Sequence, residues 1–341
     1  MKYLGAYILP LLAALGIYSL GFYTWLTPVF TFGLLPILEQ YLPKDSQNYD
    51  EEEKISRGKK VLYDIMLYVN VLFIFSLLYF AQLTLLTKNI PLWQWIGLVF
   101  SVGIVLGSNG INVAHELGHR NKKFERILAK ILLLPSFYTH FFIEHNHGHH
   151  LNVATPEDPS TARKNQNIYA FWVQTVSGTY TQAWQIQNNL NKRNNTSFWS
   201  INNDMLWFQL MHVLYLLLTF ILFSIQGLLF AVFAGFVGLL LLETINYIEH
   251  YGLERKKLAS GRYERVSELH SWNSNHSAGR IILYELTRHS DHHFKATKKY
   301  QILEHKDQSP KLPYGYPCSM VMALVPPLWF SVMNKEVPVN S

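Results

Sequence analysis

A single cysteine, Cys318, stands in a chain of 341 residues. That excludes an internal disulfide framework and any thiolate metal site, and Cys318 reads as an inert packing thiol. Charge is also scarce. Only 15% of the residues are charged, against roughly 25% in soluble domains. No G-x-G-x-x-G loop and no four-cysteine cluster occurs, so the chain carries neither a dinucleotide site nor an iron–sulfur site. The basic excess, a formal +6, flanks apolar runs. It suits anionic lipid headgroups and does not indicate nucleic acid. No repeat of fixed period is present.

Long apolar runs are what the chain has instead. Six of them, 3–22, 24–42, 61–86, 92–112, 206–224 and 228–250, approach or exceed the ~20 residues that cross a bilayer as helix. The first is not a cleaved leader, because apolar sequence resumes at Thr24 with no A-x-A-like site between. Pro28 and Pro36 are tolerable in a span, since neighbouring helices re-satisfy the freed backbone groups. Residues 43–60 read as a charged loop. Residues 113–205 and 251–341 read as a polar cap. Within that cap, 126–143 reads as an interfacial helix broken at Lys130 and Pro135, and 164–203 as an ordered segment rich in Asn, Gln, Trp and Tyr. Residues 313–334, with Pro317, Pro326 and Pro327, are too broken for a span and pack beneath the bundle. With the N-terminus inside, every Lys and Arg except Lys88 faces the cytosol. The expectation is one all-α integral membrane domain of six transmembrane helices, with both termini and a histidine-rich cap in the cytosol. Asn194-Asn195-Thr196 would lie there as an unused glycosylation acceptor.

The histidines are grouped. His115 and His119 are four apart; His145, His149 and His150 follow Glu144; His289, His292 and His293 flank Asp291. These spacings put pairs of imidazoles on one helix face. Each cluster can place two imidazoles on one ion, with a third reaching a neighbour in the two larger clusters. His250 ends the last span at the same membrane depth as His119, which makes nine candidates. One ion cannot use nine, but two can. All-nitrogen ligation with open positions fits redox-active iron and not structural zinc. Glu116, Glu144, Glu249 and Asp291 are expected to hold imidazole N–H groups and offset cationic charge. Glu249, one residue from His250, is expected to point to another face and not to ligate the same ion. The same supporting role extends to His140, His147, Asn246, His270 and His276. His212 and His305 read as ordinary interface histidines. Glu243, deep in a span, reads as a hydrogen bond to a neighbouring helix.

Two other readings were weighed. His115-Glu116-x-x-His119 satisfies a zinc-protease pattern, which would leave most other histidines idle. A metal transporter would place ligands at mid-span, whereas these lie at cytosolic ends.

Four stretches carry a resemblance: His115-Glu116-Leu117-Gly118-His119, Glu144 to His150, Asn246-Tyr247-Ile248-Glu249-His250-Tyr251-Gly252 and Arg288 to His293. With Ala154 to Pro159 and Ser271 to His276, they resemble the bacterial membrane alkane 1-monooxygenases of the fatty-acid desaturase and hydroxylase superfamily. The resemblance spans residues 24 to 334. It implies a non-haem di-iron site, O2 as cosubstrate, an alkane taken from the bilayer and a terminal alcohol as product. It also implies the bacterial inner membrane and electrons from rubredoxin and a rubredoxin reductase. No catalytic side chain is expected beyond the metal site. The substrate walls are expected from spans one, two, three and five, and carrier docking at Arg163, Arg255, Lys256 and Lys257. A desaturase, or a hydroxylase of another alkyl or aromatic substrate, is the alternative.

Overall fold

A computed structural model describes residues 2–338. Helix accounts for its regular structure, and among the described residues β-pairing is confined to isolated bridges. Five stretches are long and apolar enough to cross a membrane: α1 (Lys2–Ser19), α2 (Gly21–Tyr41), α3 (Val61–Thr87), α4 (Leu92–Gly118) and Asp204–His250. Helix is what such sequence must form in lipid, where only internal hydrogen bonds can satisfy the backbone.

The last stretch has 47 residues, about 70 Å at 1.5 Å per residue, twice a hydrocarbon core of about 30 Å. It is not one rod. Ser224 sits at φ 55, outside helical space. The Phe137 ring lies 5.8 Å from His212 and 5.9 Å from Tyr215, yet a Cβ on Gly235 would meet the same ring at 2.9 Å. Residues so far apart along a straight helix share one neighbour only if the chain folds back. Residues 204–223 and 225–250 therefore form an antiparallel pair. The reversal falls at Ser224, ahead of the Gln226-Gly227 step that polarity suggested. Leu20, between α1 and α2, has the same backbone signature at φ 57.

Other elements also depart from expectation. The 43–60 segment holds a helix, Glu51–Lys59, capped by Asp50 accepting from the Glu53 amide at 2.8 Å. The helix expected to break at Lys130 and Pro135 runs through Lys130: Lys123–Leu133 is continuous, the break comes at Pro135 as expected, and Phe137 turns left-handed at φ 55. The Asn- and Gln-rich stretch contains α5 (Ile168–Arg193). We call residues 204–223 α6 and 225–250 α7. Three short cap helices matter below: α8 (Ser277–Ile282), α9 (His289–Phe294) and α10 (Tyr316–Ala323).

α4 is the buried spine. Its Gly103 and Gly107 meet Ala234, Val237, Gly238 and Leu241 of α7 with no room for added side chains. Small residues at such seams let helix backbones approach closely. The two helices that this seam locks together are the two that end in candidate ligands. Gly238→Leu would drive a side chain into the α4 backbone at Gly103 and Gly107. It should destabilise the protein by about 1–3 kcal/mol, read as a lower thermal midpoint in detergent.

Candidate metal centre

Four elements deliver the histidines. α4 carries His115 and its cap His119; a π-helical turn, His145–His149, carries its own pair and abuts His150; α7 ends in His250; α9 carries His289, His292 and His293. They converge into two groups. His115, His119, His145, His150 and His292 form one, and His149, His250, His289 and His293 the other. Within each group one nitrogen from every ring lies within 4.8 Å of all the others.

Neither sequence cluster goes whole to one group. His145 and His150 share a group while His149 joins the other, because a π turn aligns residues five apart. His289 and His293, four apart on an α-helix, pair in the second group. His292, between them, faces the first. The groups adjoin: the His150 and His293 rings are 4.5 Å apart.

The rings point their Nε2 atoms inward. His150 Nε2 lies 3.0 Å from that of His145 and 3.2 Å from that of His119. His293 Nε2 lies 2.9 Å from that of His289 and 3.3 Å from that of His149. His289 and His250 meet at 3.3 Å. His149 Nδ1 donates to Asp158 Oδ2 at 2.9 Å and His250 Nδ1 to the His270 carbonyl at 3.2 Å. Those bonds select the tautomer whose Nε2 lone pair is free. His115 Nε2 and His292 Nε2 are buried with no hydrogen-bond partner among the described residues. Convergent lone pairs and orphaned nitrogens fit two metal ions, one per group.

Burial, reinforced by repulsion between neighbouring rings, holds the pKa of His119, His145, His150, His289 and His293 well below the usual imidazole range. His292 is pushed down to about 3. Neutral imidazole is the ligating form. Because only the unfolded chain takes up these protons readily, stability is lost as pH falls through about 6.5.

The supporting residues are arranged differently from expectation. Glu116 does not meet a histidine; it is held by Arg120 at 2.6 Å and the Tyr300 amide at 3.1 Å. Asp291 is taken by Lys298 at 2.7 Å and the Glu304 amide at 2.8 Å. Glu144 is buried with both oxygens unpartnered. Burial, then the nearby Asp158 and Glu243, pushes its pKa well up. His140 packs between the rings of Tyr138 and Tyr180. His147 points outward and is exposed. Asn246 donates to Glu243 at 3.2 Å, which also accepts from Tyr138 and Thr175. His276 meets Ser274 at 2.8 Å. His270 does support the site, through its backbone carbonyl and not its ring.

Glu249 is the reverse case. It reaches the second group, with Oε2 at 3.2 Å from His289 Nε2 and Oε1 accepting from Tyr316 at 2.8 Å. Adjacent helical residues diverge by about 100°, but α9 packs into the gap between them. Asp158 was overlooked as an orienting residue. Thr161 at 2.6 Å and the Ser160 amide at 3.1 Å position it. Its only sequence signal was the Thr155-Pro156-Glu157-Asp158-Pro159 turn. His212 bonds Thr139 and His305 pairs with Asp307, away from either group.

A small cavity of about 30 Å³ lies beside Tyr316. Its walls are Leu9 of α1, Thr31 and Leu35 of α2, Ile104 and Ser108 of α4, and Leu241 and Ile245 of α7, closed by Ile282, Pro317 and Met320. Its helical walls thus come from α1, α2, α4 and α7. α3 turns Asn70 to α4, donating to Tyr284 and accepting from Asn109.

Residues 90–314 match the fatty acid desaturase family. The chain is 35% identical to alkane 1-monooxygenase 2 of Alcanivorax borkumensis, over 97% of this chain and 87% of that protein. It is 38% identical to alkane 1-monooxygenase of Pseudomonas putida, over 93% and 79%. The xylene/toluene monooxygenase hydroxylase component of Pseudomonas putida is more distant, 27% identical over 98% and 89%.

The bonding pattern separates two acids. Asp158→Ala should weaken iron binding by about 10–100-fold, measured by chelator competition. Glu116→Gln should leave iron affinity unchanged and lower the thermal midpoint instead, because it uncouples buried Arg120.

Proposed function

Because the chain belongs to the alkane 1-monooxygenase family, we propose that it is a membrane di-iron hydroxylase converting an alkane to its 1-alkanol. The overall change is alkane plus O2, two electrons and two protons to alcohol and water. The observation that carries this reading is the foot of the apolar cavity. Its wall residue Tyr316 bonds Glu249, which touches His289 of the second group.

The nine histidines His115, His119, His145, His149, His150, His250, His289, His292 and His293 are the proposed iron ligands, with Glu249 within reach of the second ion. The irons supply O2 activation and electron storage. The remaining work belongs to the chain. Asp158 and the His270 carbonyl fix the tautomers of His149 and His250. The cavity removes water and holds the hydrocarbon by apolar burial, about 0.8 kcal/mol per CH2. Terminal C–H bonds are stronger than internal ones, so selectivity must come from presenting the chain end-on, which is catalysis by position. A slot squeezed between four helices does that.

We place the two groups at the cytosolic face of six membrane crossings, with α6 and α7 as the last two and both termini inside. The membrane we assign is the bacterial inner membrane, in keeping with the bacterial relatives. The electrons come from a reduced carrier, which we take to be rubredoxin fed by its NAD(P)H-dependent reductase. The cavity lining supports alkane over fatty acid: it is mostly apolar and holds no Lys, Arg or His to pair with a carboxylate.

Purified protein should hold about two irons per chain and release a 1-alkanol that incorporates oxygen from labelled O2. An alkene without incorporated oxygen would identify a desaturase. Iron far below that level with no oxygenated product would remove the hydroxylase reading. Chain length is set by cavity depth. Ile104 lies 11 residues before His115, about 16 Å along α4. Ile104→Trp should therefore cut turnover of the longest accepted alkanes at least tenfold and spare shorter ones, measured by product distribution from a mixture.

A further inference from the structure

Thr31, Leu35 and Glu39 recur every fourth residue on α2, and all three are buried. Val29, Leu34, Ile37, Leu38 and Tyr41 on the same helix are exposed. The stripe therefore faces the protein. Its first two members line the cavity, and Glu39 continues it past the cavity end toward the last turn of α2.

Glu39 is 1% exposed. Its Oε1 accepts from the Gly279 amide at 2.9 Å, and Gly279 is itself a cavity wall. Its Oε2 has no hydrogen-bond partner and, among the described residues, no cation pairs with it. A side chain on Gly315 would run into the carboxyl. The next residue, Tyr316, is the one whose hydroxyl reaches Glu249 beside the second histidine group. A buried acceptor with a free oxygen is costly unless something donates to it. The hydrocarbon substrate has no donor. Its product differs by one hydroxyl, which is a donor.

We propose that Glu39 Oε2 is the acceptor for the hydroxyl of the 1-alkanol, at an exit between α2, α8 and α10. This rests on the hydroxylase reading above. The acceptor discriminates between substrate and product at no cost to alkane binding, because an alkane makes no hydrogen bond to lose. It draws the alcohol end away from the histidines and leaves the apolar slot to the next alkane. Glu39 is a positioning residue and takes no part in C–H cleavage.

The test compares the wild type, Glu39→Gln and Glu39→Leu, and Gly315→Ala, which displaces the carboxyl without changing its chemistry. The probes are the preferred alkane and its own 1-alkanol as a competitive inhibitor. In Glu39→Leu the alkanol should bind about tenfold more weakly, the loss of one hydrogen bond to a buried carboxyl. The alkane KM and iron content should stay at wild-type values. Steady-state kcat should fall while the product formed in a single turnover does not. Gly315→Ala should reproduce this, and Glu39→Gln, which keeps an acceptor oxygen, should lie between. Variants with wild-type iron content and unchanged alkanol inhibition would overturn the proposal, as would an equal loss of alkane and alkanol binding. A wild-type protein that makes no alkanol would instead overturn the hydroxylase reading, which keeps the two failures apart.

Discussion

The constraint on which the rest depends is the crowding of nine imidazoles in a space that excludes water. Rings whose Nε2 atoms meet at 2.9 to 3.3 Å cannot carry charge together. They stay neutral, with lone pairs aimed at two points, and that arrangement is costly unless cations take up the lone pairs. Two cations in turn need negative charge nearby. Asp158 supplies it on the second group, and Glu249 brings a further carboxyl there, each touching one ligand and each anchored from behind by a hydroxyl. Burial works to raise the Asp158 pKa, but His149 and Thr161 outweigh it and hold the carboxyl below its usual value.

The carboxylates left over are assigned elsewhere by their cations. Arg120 and Lys299 join Glu116 and Asp64 into a buried ion network. Lys298 and Lys306 hold Asp291. These pairs fasten α3, α4 and the segment after α9 together just outside the histidines. They keep the ligand-bearing elements in place without adding charge to the centre. This division of labour separates acids that tune the metal from acids that brace the cap.

The bundle serves the same centre. α4 and α7 bring His115 and His250 to a common depth, and the glycine seam between them fixes their relative height. The same two helices contribute Ile104, Ser108, Leu241 and Ile245 to the cavity wall. A hydrocarbon held there therefore lies against the helices that end in ligands, so positioning of substrate and of metal share one rigid element.

Sequence alone determined the helical membrane class, because apolar runs near 20 residues have no other stable form in lipid. It also singled out the nine histidines that converge, since eight of them fall in clusters at helical spacing and His250 ends an apolar run. Their partition was not legible. It turns on a π turn at His145–His149 that distinguishes five-apart from four-apart residues, and nothing in its composition departs from an α-helix. The acids were misread for a related reason. Glu116 looks like a partner for His115 until Arg120 and Tyr300, the latter 184 positions on, arrive to claim it. Asp158 looks like a turn residue until His149 meets it. The exact place of the reversal, Ser224, is likewise settled by α3, where Tyr79 meets Phe223 and Gln82 donates to the Gly227 carbonyl. Local pattern reports which groups a chain has and how they repeat. Which buried donor meets which acceptor is decided by packing, because a buried polar group binds the best partner that the fold brings to it and not the nearest one in sequence.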